Sequence, residues 1–159
     1  MKPAIARLTR LGLCILLAGC QVTDSRNISD DVDALHNIVE LDVAPRAIRW
    51  EIFGTPEYVG AVQGPTDFVT LVAEVPGLNE AEFKKRAKSG TVWIAPEAAR
   101  PWISSDFRSL LSQHRNASVD LSSHYNCRAA HGKLRETGQR VGGFICNGSA
   151  KGLLYLSLK

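Results

Sequence analysis

The sequence predicts an α+β domain, a mainly antiparallel sheet with two or three short helices packed on one side. Three observations carry this. Residues 48–52 and 68–75 alternate apolar and polar side chains with period two, two later stretches carry helix caps followed by apolar residues at helical spacing, and the chain beyond Val119 is a succession of apolar runs separated by glycine turns. At 159 residues the chain suits one hydrophobic core, and no internal repeat or low-complexity stretch divides it.

The elements follow in order. Ser29 can cap a helix running to Leu41, with Val32, Leu35 and Val39 on one face. Past Pro45 the period becomes two: Ile48, Trp50 and Ile52 face inward and Arg49 and Glu51 outward, until Gly54-Thr55-Pro56 ends the strand. After a loop around Gly60 and Gly64-Pro65, Val69, Leu71, Ala73 and Val75 alternate with Thr70 and Glu74, and Pro76-Gly77 stops the run. Asn79 and Glu82 form an Asn-x-x-Glu start for a short helix with Phe83 and Ala87 inward and Gly90 beyond its last turn. Its run Lys84-Lys85-Arg86 with Lys88 shares the helix with Glu80 and Glu82 and reads as a solvated face. A strand over Thr91–Ala95 leads into the loop Pro96–Pro101, and Ser104 or Ser105 caps a helix whose Phe107, Leu110, Leu111 and His114 share one face. Strands at Val119–Leu121, Arg128–Leu134, Val141–Cys146 and Leu153–Leu158 complete the sheet, the last apolar on both faces and therefore interior.

The N-terminus speaks to location. Lys2, Arg7 and Arg10 precede an apolar stretch, Leu11 to Leu17, which runs into Leu17-Ala18-Gly19-Cys20. The apolar run is shorter than the roughly 20 residues that span a bilayer. These twenty residues resemble the signal of bacterial prolipoproteins, with small residues before the cut and an acceptor cysteine. The resemblance implies cleavage after Gly19 and acylation of Cys20 with palmitate-type chains. It divides the chain into a signal peptide (1–19), a lipidated cysteine with a polar tether (20–31) and a single periplasmic domain (32–159). Each buried methylene contributes about 0.8 kcal/mol, so several acyl chains hold a protein without help from its domain. Gln21, in place of the Asp that retains such proteins at the inner membrane, implies the periplasmic face of the outer membrane; the inner membrane is the alternative.

Losing the leader changes the charge balance. Three of the 19 Lys and Arg residues precede Cys20 and all 16 acids follow it, which leaves 16 of each. No basic excess remains to suggest nucleic acid as a partner or a polybasic attraction to membranes.

Of the four cysteines, Cys14 leaves with the signal and Cys20 carries lipid, so Cys127 and Cys146 remain. In an oxidising compartment the simplest fate of the pair is a disulfide, contributing about 3 kcal/mol on the chain-entropy model. A hairpin placing Cys127 opposite Cys146 folds back between Glu136 and Thr137, where Arg135-Glu136-Thr137-Gly138 supplies a turn with glycine at the left-handed position. The rival is a zinc site from His124, Cys127, His131 and Cys146, whose spacing matches no strong signature. A catalytic thiol beside His124 or His131 is a weaker rival still.

For function, the sequence shows no Gly-x-Ser-x-Gly elbow, no phosphate-cradling glycine loop and no His-Glu-x-x-His. No catalytic residue, metal or cofactor is indicated. Ending in Lys159 resembles lipoproteins linked to peptidoglycan through a terminal lysine, but the match is one residue and lacks a flexible tail. The expectation is a non-enzymatic, lipid-anchored module that binds a protein, of envelope-assembly or immunity type, with Trp93 and Trp102 as a candidate contact surface or as core. The alternative is a small envelope hydrolase whose site is assembled only in three dimensions.

Overall fold

A computed structural model describes residues 28–55, 68–121 and 126–158. The architecture is α+β, as the sequence predicts. Six antiparallel strands form one curled sheet: β1 (Val39–Leu41), β2 (Arg49–Thr55), β3 (Phe68–Pro76), β6 (Cys127–Leu134), β7 (Arg140–Asn147) and β8 (Lys151–Leu158), in spatial order β1-β6-β7-β8-β3-β2. A second, two-stranded sheet pairs β4 (Thr91–Ile94) with β5 (Ala117–Asp120). The helices are α1 (Val32–Ile38), α2 (Glu80–Lys85) and α3 (Ser105–Gln113).

Alternation along the central strands sends successive side chains to opposite faces, and both faces are covered. Leu153 and Tyr155 of β8 join a core with Phe107, Leu110 and Leu111 of α3 and Ile94 of β4, whereas Leu154 and Leu156 join another with Leu35 of α1 and Phe83 of α2. The helices therefore divide, two on one face and one on the other, rather than gathering on one side. The physical reason is β8, apolar on both faces, together with β3 beside it. A strand of that kind needs cover from both directions.

α1 is shorter than its sequence pattern suggests. Asp31, not Ser29, is the cap, accepting the Ala34 N–H at 2.9 Å. Ser29 instead exchanges two backbone hydrogen bonds with Trp50, at 2.8 and 2.9 Å. Both residues, assigned to the tether by sequence, are held by the fold. Val39 turns extended and pairs with Leu134, so the last three residues of the expected helix are strand. Residues 29 to 39 thus reach from one edge of the sheet to the other. In a flat sheet those edges would lie about 24 Å apart, more than the roughly 20 Å such a segment reaches with seven residues helical. The sheet must curl, and Leu35, fully buried, fills the concavity.

The hairpin of β6 and β7 has the register the turn chemistry demands. Cys127 lies opposite Cys146 and forms a disulfide with it, and Gly138 adopts φ +70° while its N–H bonds the Leu134 carbonyl. Gly143 is required for another reason: a Cβ there would sit 2.0 Å from the Tyr155 carbonyl oxygen of β8.

Candidate functional site

Two constructions stand out, on opposite faces of the sheet. The first is a cleft of about 870 Å³ at the end of the sheet where β2 starts and β3 ends. One wall is the loop 43–47, which crosses from β1 to β2; the other is the Pro76–Asn79 turn with α2; Ile145 of β7 lies at the base. Local sequence builds each wall. Gly77 at φ +67° reverses the chain after β3, and the Asn79 side chain then accepts the N–H groups of Ala81 and Glu82 at 3.0 and 3.2 Å, starting α2 as its capping residues predict. Phe83 is the buried anchor of α2, with the Arg128 guanidinium 5.5 Å over its ring. α2 ends at Arg86, before the expected Gly90, and Ala87 is exposed rather than inward. Arg86 closes one end of the cleft through a 2.8 Å ion pair with Asp42. The lining is mainly apolar, from Val43, Pro45, Leu78 and Phe83, with Arg46 and Glu82 exposed at opposite walls of the mouth. That composition suits an apolar segment oriented by a few polar contacts.

The second is a buried polar network beneath α3 and the loop before it. Glu51 is only 7 % exposed. One of its oxygens accepts the Trp102 indole N–H at 2.7 Å and the other pairs with Arg100 at 2.9 Å. The Arg100 guanidinium lies 4.0 Å over the Phe53 ring. Glu74, 2 % exposed, accepts the Ser104 backbone N–H at 2.7 Å and the Lys151 ammonium at 2.8 Å. Burial by itself would raise the Glu74 pKa. The hydrogen bonds from Lys151 and Ser104, with the Lys151 charge, outweigh it and hold the carboxyl below its ordinary value. Tyr155 completes the set, accepting the Ala95 N–H and donating to the Trp93 carbonyl, which stitches β8 to the outer sheet; burial pushes its phenol pKa up.

These positions correct the expected pattern. Glu51 and Glu74, read as the solvent side of alternating strands, are buried because the loop 95–104 folds over them, and Thr70 on the same face is buried as well. Ser104 is the cap residue of α3 by position, yet its side chain makes no capping bond and its N–H goes to Glu74. Trp93 and Trp102 are half-buried against the core, with the Trp102 indole N–H committed to Glu51.

The disulfide occupies both thiols that the rival zinc and nucleophile readings need. Among the described residues no cluster of His, Cys, Asp and Glu is arranged to hold a metal ion. His131 is exposed and 3.6 Å from Asp42, and His114 is half-buried at the end of α3. Cys20, His124 and Lys159 lie outside the described residues. No helix among the described residues is long and apolar enough to cross a membrane. Comparison with protein-family models, curated proteins and solved structures finds no match to this chain.

Sequence reasoning missed both the cleft and the network. The Pro76-Gly77 stop marked the turn, but nothing local indicated that the loop 43–47 would face it. Glu51 and Trp102 are 51 residues apart and Glu74 and Lys151 are 77 apart, so no spacing rule connects them.

Proposed function

We propose that this chain is a bacterial envelope lipoprotein, acylated at Cys20 and held at the outer membrane facing the periplasm, whose domain binds a protein partner through the cleft between the loop 43–47 and α2. The leader supports the anchor, and the disulfide is of the kind that persists in oxidising compartments. The observation carrying the binding role is where the cleft lies. The antiparallel Ser29–Trp50 bridge sets Ile28 on the side of Ser29 nearer the Thr55 end of β2, whereas the cleft opens beside the Arg49 end. An anchored domain entered from one end presents the other to partners.

The test has two parts. Mass spectrometry of the native product is expected to show a chain beginning at an acylated Cys20; an intact leader or an unmodified thiol refutes the anchor. A photo-crosslinking residue at position 78 is expected to give one discrete protein adduct in the native envelope, absent when the same residue replaces Ser118 on β5. Ala44→Arg, which fills the cleft from an exposed position, should abolish that adduct while shifting stability by no more than about 0.5 kcal/mol. Equal adducts from positions 78 and 118, or an adduct that survives Ala44→Arg, refutes the cleft as the binding surface.

A further inference from the structure

We infer that the opposite end of the domain, formed by the β6–β7 turn and the C-terminus of α1, rests on the anionic phospholipid headgroups of the membrane that anchors the chain. This rests on the reading of Cys20 as the lipidated residue.

The sheet registers define that end. Thr55 pairs with Phe68, Val69 with Leu158 and Lys133 with Arg140, so the start of β3, the end of β8 and the β6–β7 turn lie together, away from the cleft. The Ser29–Trp50 bridge is antiparallel, so Ile28 lies on the side of Ser29 nearer this end. Cys20 and Ile28 are only eight positions apart, a contour of at most about 29 Å, so the anchored end cannot stray far from the bilayer.

The chemistry of this end suits a headgroup layer. Lys133 and Arg140 face each other across the hairpin, and neither forms an ion pair among the described residues. Like charges directly opposite in a sheet repel, and an external anionic surface relieves that repulsion. Arg135 adds a third cation, held in place as its backbone N–H bonds the Ile38 carbonyl at 2.9 Å and its side chain bonds the His36 carbonyl at the end of α1. Beside them Ile38 is 43 % exposed, the large apolar side chain left open among the described residues. A shallow groove of about 380 Å³ over Gly132 lies between Glu40, His131, Lys133 and Arg140. Among the described residues the carboxylates here are Glu136 in the turn, Glu40 opposite Lys133 and Asp42, whose charge is met by Arg86, leaving a small positive excess. A small excess is enough. The acyl chains supply the affinity, so the surface has only to choose an orientation, and each cation held near an anionic bilayer shifts that choice by about fivefold.

The experiment uses the acylated, signal-cleaved chain in vesicles. With Cys20 acylated and Cys127 bonded to Cys146, Thr137→Cys or Ala44→Cys introduces a single labelling site at either end. Energy transfer to headgroup-labelled lipid is expected to be several-fold stronger from position 137 than from position 44 in phosphatidylcholine vesicles containing phosphatidylglycerol. The excess should vanish in phosphatidylcholine alone, on raising salt from about 0.1 M to 1 M, and in Lys133→Glu/Arg140→Glu, whose folding is checked by an unchanged melting curve. Equal transfer from both ends, or an excess indifferent to salt and to charge reversal, overturns the proposal while leaving the anchor intact. A native chain without acyl groups overturns both.

Discussion

The two faces of the sheet are closed by different physics. Toward α3 and β4–β5 the cover is fastened by directed polar contacts: Glu51 to Arg100 and Trp102, Glu74 to Ser104 and Lys151, Tyr155 to the backbone on either side of Ile94. Toward α1 and α2 the buried set is Leu35, Ile48, Leu71, Ala73, Phe83, Leu154 and other apolar residues, with polar bonds confined to the rim, such as Trp50 to the Asp31 carbonyl and Arg86 to Asp42. Buried charge tolerates only one arrangement of its partners, because any displacement leaves a desolvated group unpaired. Apolar contact is indifferent to direction. The cleft between the loop 43–47 and α2 lies at the edge of the apolar face.

That contrast can be broken most severely from the polar side. Glu51→Ala deprives Arg100 of its carboxylate partner at 2.9 Å and removes the acceptor of Trp102, and should cost about 3–5 kcal/mol, read as a lowered denaturant midpoint. A loss under about 1 kcal/mol would mean that the network merely decorates a face closed by apolar packing.

Glu74 gives a smaller effect with a pH signature. Its pKa is lowered on folding, so its contribution is fully present above the ordinary value of 4.5 and is lost as pH falls through the lower folded value. Glu74→Gln should therefore cost about 1–3 kcal/mol at neutral pH. It should also flatten the acid limb of the stability profile relative to the unsubstituted protein, and parallel limbs would remove Glu74 from the account.

The mildest break is on the apolar side. Asn79→Ala deletes two capping bonds at the wall of the cleft and should cost about 1 kcal/mol. Hydrogen exchange is expected to rise in α2 and not in α3. A uniform rise would show that the two covers open together.

Some of this was written locally. Caps and turns act within a few residues, so Asn79, Gly138 and the pairing of Cys127 with Cys146 were legible, as were the strands: period two across residues 48–52 and 69–75 and the two-sided apolar run of β8. Length of α1 was not, because Val39 continues a helical pattern yet is taken into the sheet by Leu134. Nor was the burial of Glu51 and Glu74, since alternation tells which residues share a face but not whether another layer lies on it.

The sequence by itself determined the fold class, most of the elements though not β1, the hairpin register and the disulfide, all consequences of side-chain period and turn chemistry over short range. Only the tertiary structure decided that helices cover both faces, which carboxylates lie inside, and that the crossing loop and α2 bound a cleft at the Arg49 end of β2. Those features depend on residues tens of positions apart meeting in a curled sheet, and no local pattern records which will meet.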